Sequence, residues 1–300
     1  MPMEKTILTL NVPTIVDYRI TPAQFDPLFN LWSQVKNGNL DVTFDFSNCK
    51  FLPQSAVAFL GGLTRLIQKR QGLVRFALGT IKDKVKKNLA QNGFLSTLGF
   101  GFRPWSGNSI PYREDGFKKN RNVLVDYLKK EWLGRGWVHV SKPLRDAIVG
   151  KVWEIYANAF EHSDSPIGVF SCGQHYPRSL TLKLTVVDFG FGIPQNVRVF
   201  KMNPKITAKA ALEWAFQRGT TTKPNGMGRG LGLDLLKNFV KVNKGQIEVF
   251  SHGGHALIDE NIEIYSNLEV FFEGTLVNIT FKCDESYYQL ASEDTGEPLF

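Results

Sequence analysis

The sequence predicts an α/β protein built from two parts. Segments that alternate apolar and polar residues, as half-buried strands do, are interleaved with segments of helical periodicity. Strands and helices that follow one another in this way are typical of α/β architectures. Between residues 99 and 116, glycines and prolines interrupt both patterns, so we expect the junction between the two parts there.

The first part is predicted to form a small α/β layer. Its helix begins near Pro53 and Ser55, a typical helix start ahead of an apolar-periodic stretch. A basic run from Lys82 to Lys87 lies on a second helix, where it forms either a solvated face or a binding patch. The predicted elements are strands at 5–16 and 40–46, a helix at 56–67, a strand at 73–78 and a helix at 81–91.

The second part is predicted to alternate helices and strands around a loop rich in glycine. A strand pattern ends in an aspartate, Asp188, and the glycine-rich loop leads directly into an amphipathic helix. The predicted elements are helices at 121–133 and 143–162, a strand at 180–188, a helix at 207–217, a glycine-rich loop at 219–230, a helix at 231–243, and strands near 245–251 and 275–282.

The composition argues against several classes of protein. With 43% hydrophobic and 21% charged residues, the chain resembles soluble globular proteins. No apolar run approaches the ~20 residues that a membrane span needs, and the first residues alternate like a strand, unlike a signal peptide. Three widely spaced cysteines argue against a disulfide framework or a zinc site. We therefore expect a cytoplasmic protein with no membrane contact.

A polar stripe runs along the predicted helix at 143–162. Glu154, Asn158, Glu161 and His162 fall on one helix face, and the other faces are largely apolar. Because the helix is expected to be buried, these polar groups need hydrogen-bond partners or a ligand. Taken alone, the stripe fits a structural hydrogen-bond network as well as a binding site.

Two glycine motifs follow this helix. In the first, Asp188 ends a strand, and Gly190 and Gly192 permit a tight turn that a ligand can approach closely. In the second, glycines at 228–232 open a helix, which places backbone N–H groups and the helix dipole where phosphates can bind. Each motif alone is also explained by an ordinary turn or a flexible loop.

The order of these motifs resembles the four sequence boxes of the GHKL ATPases, the superfamily of gyrase, heat-shock chaperones, histidine kinases and mismatch-repair proteins. The fourth box corresponds to Glu273-Gly274-Thr275, which enters the last strand. The resemblance covers residues 121–285 and implies a two-layer α/β sandwich, the Bergerat ATP-binding fold, with ATP and Mg²⁺ as cofactors.

The resemblance also implies a role for each matching residue. Asp188 is expected to accept the adenine amino group, and Asn158 to hold Mg²⁺, which prefers oxygen ligands. Glu154 stands where the family places its general base. Gly190 and Gly192 let the backbone approach the nucleotide. The expected phosphate and pocket residues are Gly228, Arg229, Gly230, Leu231, Gly232 and Thr275.

The residues around the glycine-rich loop leave alternatives open. Residues 218–230 are expected to form a lid over the nucleotide. Lys223 and Arg229 either reach the terminal phosphates from this lid or are simply solvated. His162 matches a histidine common in anti-sigma-factor kinases, and a structural histidine fits the position equally well.

The positions of the histidines and the chain length indicate which branch of the superfamily the chain resembles most. All five histidines lie at or after residue 139, so no phospho-accepting histidine precedes the ATPase part, as a histidine kinase would require. Residues 286–300 are expected to form a short tail, too short for the transducer domain of gyrase and its relatives. The chain is therefore more similar to anti-sigma-factor-type serine kinases.

The first part resembles STAS domains over about residues 5–100, so we expect a STAS-like domain at 1–104, a linker at 105–120 and the ATPase domain at 121–285. In STAS domains, a serine at the start of the corresponding helix receives phosphate from such kinases. Ser55 occupies this position, where it is either a phosphoacceptor or a helix N-cap.

Three hypotheses for function follow. The first is an ATP-driven regulatory switch that hydrolyses ATP and acts on a protein partner, a STAS-like protein or an effector. The second is a serine/threonine kinase that phosphorylates a STAS-like partner, with a homodimer possible in either case. The third is a nucleic-acid-binding module, because the net charge is +8, although no nucleic-acid-binding motif accompanies it.

Overall fold

The computed structural model describes residues 6–16, 22–116, 120–217, 220 and 234–293. Strands and helices alternate through most of this part of the chain, so the predicted α/β class is confirmed. The strands are β1 (Thr6–Asn11), β2 (Leu40–Asp45), β3 (Val74–Phe76), β4 (Ser109–Asp115), β5 (His139–Val140), β6 (Val169–Tyr176), β7 (Thr181–Asp188), β8 (Gln246–Ser251), β9 (Gly254–Asp259), β10 (Glu263–Asn267), β11 (Thr275–Lys282) and β12 (Tyr287–Tyr288). The helices are α1 (Asp26–Val35), α2 (Gln54–Lys69), α3 (Asp83–Gln91), α4 (Phe94–Thr97), α5 (Arg121–Tyr127), α6 (Lys142–His162), α7 (Gly192–Phe200), α8 (Ala208–Ala215) and α9 (Asp234–Val242).

Two main sheets organise these elements. The small sheet is parallel, with the order β1-β2-β3. The large sheet has seven strands in the order β10-β9-β8-β11-β7-β6-β4, and every neighbouring pair in it is antiparallel. Strands β5 and β12 form a separate parallel pair. The large sheet carries the aspartate and threonine that the sequence assigns to the candidate site.

The expected linker at 105–120 is not a connector outside the fold. Residues 109–115 form β4, which pairs with β6 at one edge of the large sheet. Glycines and prolines around this strand hid it in the sequence, and its register shifts between Ile110 and Arg113. A β-bulge of this kind breaks the alternation by which a strand is recognised.

One face of the large sheet packs against α5, α6 and α9. Helix α6 begins with Ser141 as its N-cap, whose Oγ accepts a hydrogen bond from the Leu144 N–H at 3.1 Å. The core on this face includes Ile148 and Val152 of α6 together with Leu184 of β7. Helix α6 therefore matches the helix predicted to carry the polar stripe. It lies over the sheet and ends close to the C-terminal end of β7.

The other face of the large sheet packs against the first part of the chain. Helix α2 contacts β6 and β7 on this face and also contacts β2 and β3 of the small sheet. Its Gly62 lies so close to Phe189 that a Cβ atom there would come within 2.1 Å of the ring. Both parts thus share one hydrophobic core, and the expected boundary near residue 104 does not separate two cores.

A chain of buried polar contacts extends from the start of α2 across the sheet. Gln54 Nε2 donates to Thr185 Oγ1 at 3.3 Å, and Thr185 Oγ1 donates to Asn278 Oδ1 at 2.6 Å. Asn278 Nδ2 then donates to Glu248 Oε2 at 3.3 Å, and the other Glu248 oxygen lies 3.1 Å from the ring of His255. Buried polar groups require such partners, so these contacts fix the position of α2 on the sheet.

The structure contradicts the interpretation of Ser55 as a helix N-cap. The N-cap residue of α2 is Pro53, and Ser55 is the second residue of the helix. Ser55 is fully buried, and its Oγ has no hydrogen-bond partner among the described residues. A kinase could reach this hydroxyl only if the start of α2 left the sheet.

None of the helices in the described ranges is long and apolar enough to cross a bilayer.

Candidate functional site

The candidate site lies where α6, β7, β11 and α7 meet. Asp188 ends β7 and pairs in register with Thr275, the first residue of β11. The loop after Asp188 turns back to the end of α6, where the Phe191 N–H donates to the Ser163 carbonyl oxygen at 2.7 Å. The last of the four sequence motifs and the residue that directly follows the first motif therefore both contact the second motif.

Asp188 is a buried carboxylate, with only 3% of the residue exposed. One of its oxygens accepts the Gly190 N–H at 3.0 Å, and the Thr275 backbone N–H supplies a further hydrogen bond. Burial raises the pKa of this carboxyl to about 7, and these hydrogen bonds act in the opposite direction. No charged group among the described residues contributes to its pKa shift, so hydrogen bonds alone compensate its charge.

An ionised carboxylate only accepts hydrogen bonds, with room for about four donors. Its surroundings supply backbone donors from two residues, Gly190 and Thr275, because the Ser163 hydroxyl donates to the Ala159 carbonyl instead. A ligand that carries an amino group could complete this set and would favour the charged form. The chemistry of Asp188 therefore fits the recognition of an N–H donor such as an exocyclic amine.

The two glycines after Asp188 are required by packing within the protein. A Cβ on Gly190 would lie 1.8 Å from the Ser163 carbonyl oxygen. Gly192 has φ +72°, and a Cβ there would lie 2.5 Å from the Glu273 carbonyl oxygen. Positive φ and such close approach both favour glycine. These contacts, rather than the approach of a nucleotide, account for the two glycines in this structure.

Two serines hold the loop, and the motif analysis missed both. The backbone carbonyl of Ser163 anchors the loop, while Ser251 Oγ accepts the Ile193 N–H at 2.8 Å. Ser251 Oγ also lies 2.9 Å from Oγ1 of Thr275, the expected pocket-floor residue. Ser163 directly follows α6, and Ser251 is the last residue of β8. The sequence signal that could have identified them is therefore a polar residue at the end of a helix or strand.

Asn158 and Glu154 lie on α6, which leads into this loop. Asn158 is half-buried and precedes Ser163 by about 8 Å along the helix axis. Its amide forms no hydrogen bond with any residue that the structure describes, so its oxygen is available to a ligand or cation. Glu154 is partly exposed and pairs with Lys151 at 2.8 Å.

The remaining predicted residues are less closely tied to the loop or lie outside the described ranges. His162 Nε2 is 3.9 Å from Glu161 Oε2, and the His162 carbonyl accepts Asn196 Nδ2 at 2.7 Å. The phosphate-binding residues expected at Lys223, Gly228, Arg229, Gly230, Leu231 and Gly232 lie outside the described residues. Within the described ranges, no group of three or more His, Cys, Asp or Glu side chains could hold a metal ion.

The fold and site define an α/β protein with a buried, hydrogen-bonded aspartate at the end of a central strand. Comparisons of the chain with protein-family models and with curated proteins return no match.

The buried carboxylate predicts a pH dependence of stability. The pKa of Asp188 is about 7 in the folded protein, against an ordinary value of 3.8 for an exposed aspartate, so the native state binds this proton more tightly than the unfolded chain does. Its contribution to the free energy of unfolding therefore falls as pH rises from about 4 to about 7. In thermal denaturation of the nucleotide-free protein, we expect this fall to be smaller in Asp188→Asn than in the wild type. Parallel curves for the two proteins would contradict the assignment.

Proposed function

We propose that this chain binds Mg-ATP at the Asp188 site in the manner of GHKL proteins and acts as an ATP-driven regulatory switch with ATP hydrolysis. The observation that carries the proposal is the buried Asp188 carboxylate, held by backbone donors and placed beside Thr275. The order of the four motifs along the chain supports it.

Each residue would have a distinct task at this site. Asp188 would accept the adenine amino hydrogen, and the amide oxygen of Asn158 would hold Mg²⁺. The metal, when bound, would neutralise phosphate charge. Glu154 would orient and activate the attacking water, and residues 218–232 would cover and bind the phosphates.

The arrangement of sheets and helices supports the assignment of a Bergerat-type domain and a STAS-like domain. An antiparallel sheet with helices α5, α6 and α9 on one face is consistent with a Bergerat-type domain. The parallel sheet β1-β2-β3 with its helices is consistent with a STAS-like domain. Because α2 is wedged between the two sheets, a change at the nucleotide site could be transmitted to the STAS-like layer and then to a protein partner.

A serine/threonine kinase is the second candidate. The burial of Ser55 beneath the large sheet favours a separate STAS-like substrate over modification of the same chain. Labelled ATP separates the candidates, since transfer of phosphate to protein indicates a kinase, whereas release of free phosphate alone indicates an ATPase.

Calorimetric titration of the full chain tests the proposal directly. ATP should bind in the presence of Mg²⁺ and more weakly in its absence, and GTP should bind far more weakly because it lacks an amino group at the position of the adenine amine. Absence of ATP binding under both conditions would rule the proposal out.

Substitution of Glu154 is expected to separate binding from turnover. In Glu154→Gln, the rate of phosphate release should fall by about 100-fold or more because general-base catalysis is lost, and ATP affinity should stay close to that of the wild type. Asp146→Asn is the matched control, since Asp146 also lies on α6 and pairs with a lysine, Lys129, at 2.8 Å. Equal rates in Glu154→Gln and the wild type would remove Glu154 from the mechanism.

A further inference from the structure

A group of exposed apolar side chains lies at the end of α7. We call residues 198–205 the α7 tip. Within it, Val199 is 67% exposed, Phe200 is 43% exposed and Met202 is 92% exposed. Single exposed apolar residues are ordinary on protein surfaces. Three within four positions, including a methionine that stands clear of its neighbours, form a patch that indicates a binding surface.

The backbone at Met202 adds a second, independent observation. Helix α7 ends with hydrogen bonds from the Met202 N–H to the Val199 carbonyl at 3.1 Å and from the Asn203 N–H to the Arg198 carbonyl at 3.0 Å. This is the Schellman arrangement, in which the residue at the Met202 position is left-handed and usually glycine. Met202 has φ 51° there. Glycine would be the favoured residue at this position, so the exposed Met202 side chain is carried at a cost in backbone energy.

From residue 192 as far as Glu213, the charged side chains along the chain are all positive. Between residues 192 and 212 the sequence contains Arg198, Lys201, Lys205 and Lys209 and no acidic residue. The Lys201 ammonium lies 4.6 Å from the ring centroid of Trp214, so it is held beside the apolar side chains. The patch therefore combines apolar side chains with a positive rim, and its binding partner should be apolar within and negatively charged at its surface.

We propose that the α7 tip binds the surface of a membrane that contains anionic lipids. The headgroups of such a membrane would neutralise the lysines, and the acyl region just beneath them would accept Met202, Phe200 and Val199. A projecting tip, rather than a groove, suits insertion into a flat lipid surface. This contact requires no membrane-spanning helix, and it differs from the expectation from the sequence that the protein does not contact membranes.

Sedimentation with lipid vesicles tests the proposal without nucleotide, so its outcome is independent of Mg-ATP binding. The full chain should bind vesicles of phosphatidylcholine with about one third phosphatidylserine, and bind pure phosphatidylcholine vesicles much more weakly. Met202→Gly should weaken binding by about tenfold or more, because the most exposed of the three inserted side chains is lost. The same variant should unfold at a higher temperature, since glycine relieves the left-handed backbone.

Leu180→Gly is a matched control. Leu180 is also left-handed, with φ 49°, and is 56% exposed, but it lies in the turn between β6 and β7. It should gain thermal stability in the same way and bind the vesicles like the wild type. Equal loss of vesicle binding in both glycine variants, or no binding by the wild type, would overturn the proposal.

A charge variant distinguishes the membrane from an acidic protein partner. In Lys201→Gln/Lys205→Gln, binding to the phosphatidylserine vesicles should fall by about fivefold for each cation removed. Polyglutamate serves as the competing probe. Binding of the wild type to polyglutamate with none to the vesicles would assign the α7 tip to an acidic protein surface and overturn the membrane proposal.

Discussion

Asp188→Asn is expected to abolish measurable ATP binding while the protein stays folded. The amide has the same shape as the carboxylate, but it carries an N–H donor where the carboxylate accepts. A donor facing the adenine amino group leaves both groups unsatisfied in a buried site, so we expect affinity to fall by ~100-fold or more. Calorimetric titration with ATP measures the loss, and circular dichroism checks the fold.

The chain offers a close structural match as the control. Asp45 also ends a strand, β2, and its Oδ1 accepts the N–H of the residue two positions on, Ser47, at 2.8 Å. Asp188 makes the same contact with Gly190 at 3.0 Å. Asp45→Asn should therefore bind ATP like the wild type. If Asp188→Asn also bound ATP with wild-type affinity, the proposal that Asp188 recognises adenine would be wrong.

The sequence predicted those elements whose signals are local. The helix expected at 143–162 is α6, Lys142–His162, because a serine cap and a proline mark its start. The strand expected at 180–188 is β7, Thr181–Asp188. The helix expected at 121–133 ends its regular part at Tyr127 and continues as a π-helical turn, Leu128–Trp132, which the periodicity could not distinguish.

Other elements were missed, some of them because their signals are not local. Most of β6 is buried on both faces, so its sequence lacks the alternation of a half-buried strand. Strands β9 and β10 are short hairpin strands that pair with the elements next to them in sequence. Helix α1 packs instead against residues distant in sequence, since its Phe29 ring stacks on Phe272 at 5.3 Å. The apolar residues all around α2 were a usable signal, since a helix that is apolar on every side is buried on every side.

The candidate site shows the same division. Asp188 and its glycines were identified because they follow one another along the chain. Ser163 and Ser251 come from two other elements, and only the folded chain brings them to the loop. The sequence analysis gave Phe189 no role in the motif, yet the centroid of its ring lies 5.3 Å from that of Phe59 in α2. The link between the site and the first part of the chain is therefore a product of tertiary structure.

Phe272→Ala is expected to destabilise the whole protein, because its ring lies at the centre of the shared core. The ring centroid lies 5.3 Å from Phe29, 5.6 Å from Trp32, 5.1 Å from Phe59 and 5.4 Å from Phe189. Removing a buried phenylalanine ring costs about 3–5 kcal/mol, from lost burial and the cavity left behind. Urea denaturation followed by circular dichroism and by tryptophan fluorescence measures the change.

The neighbouring residue provides the control for this substitution and decides how the two parts are connected. Phe271 is 40% exposed, although it too contacts Trp32, so Phe271→Ala should cost far less than Phe272→Ala. Because one core spans both parts, the two probes should report a single transition that moves together in Phe272→Ala. Two separate transitions, with only one affected, would show that the parts unfold independently. In that case α2 could not transmit a change at Asp188, and the coupling through Phe189 and Phe272 would be excluded.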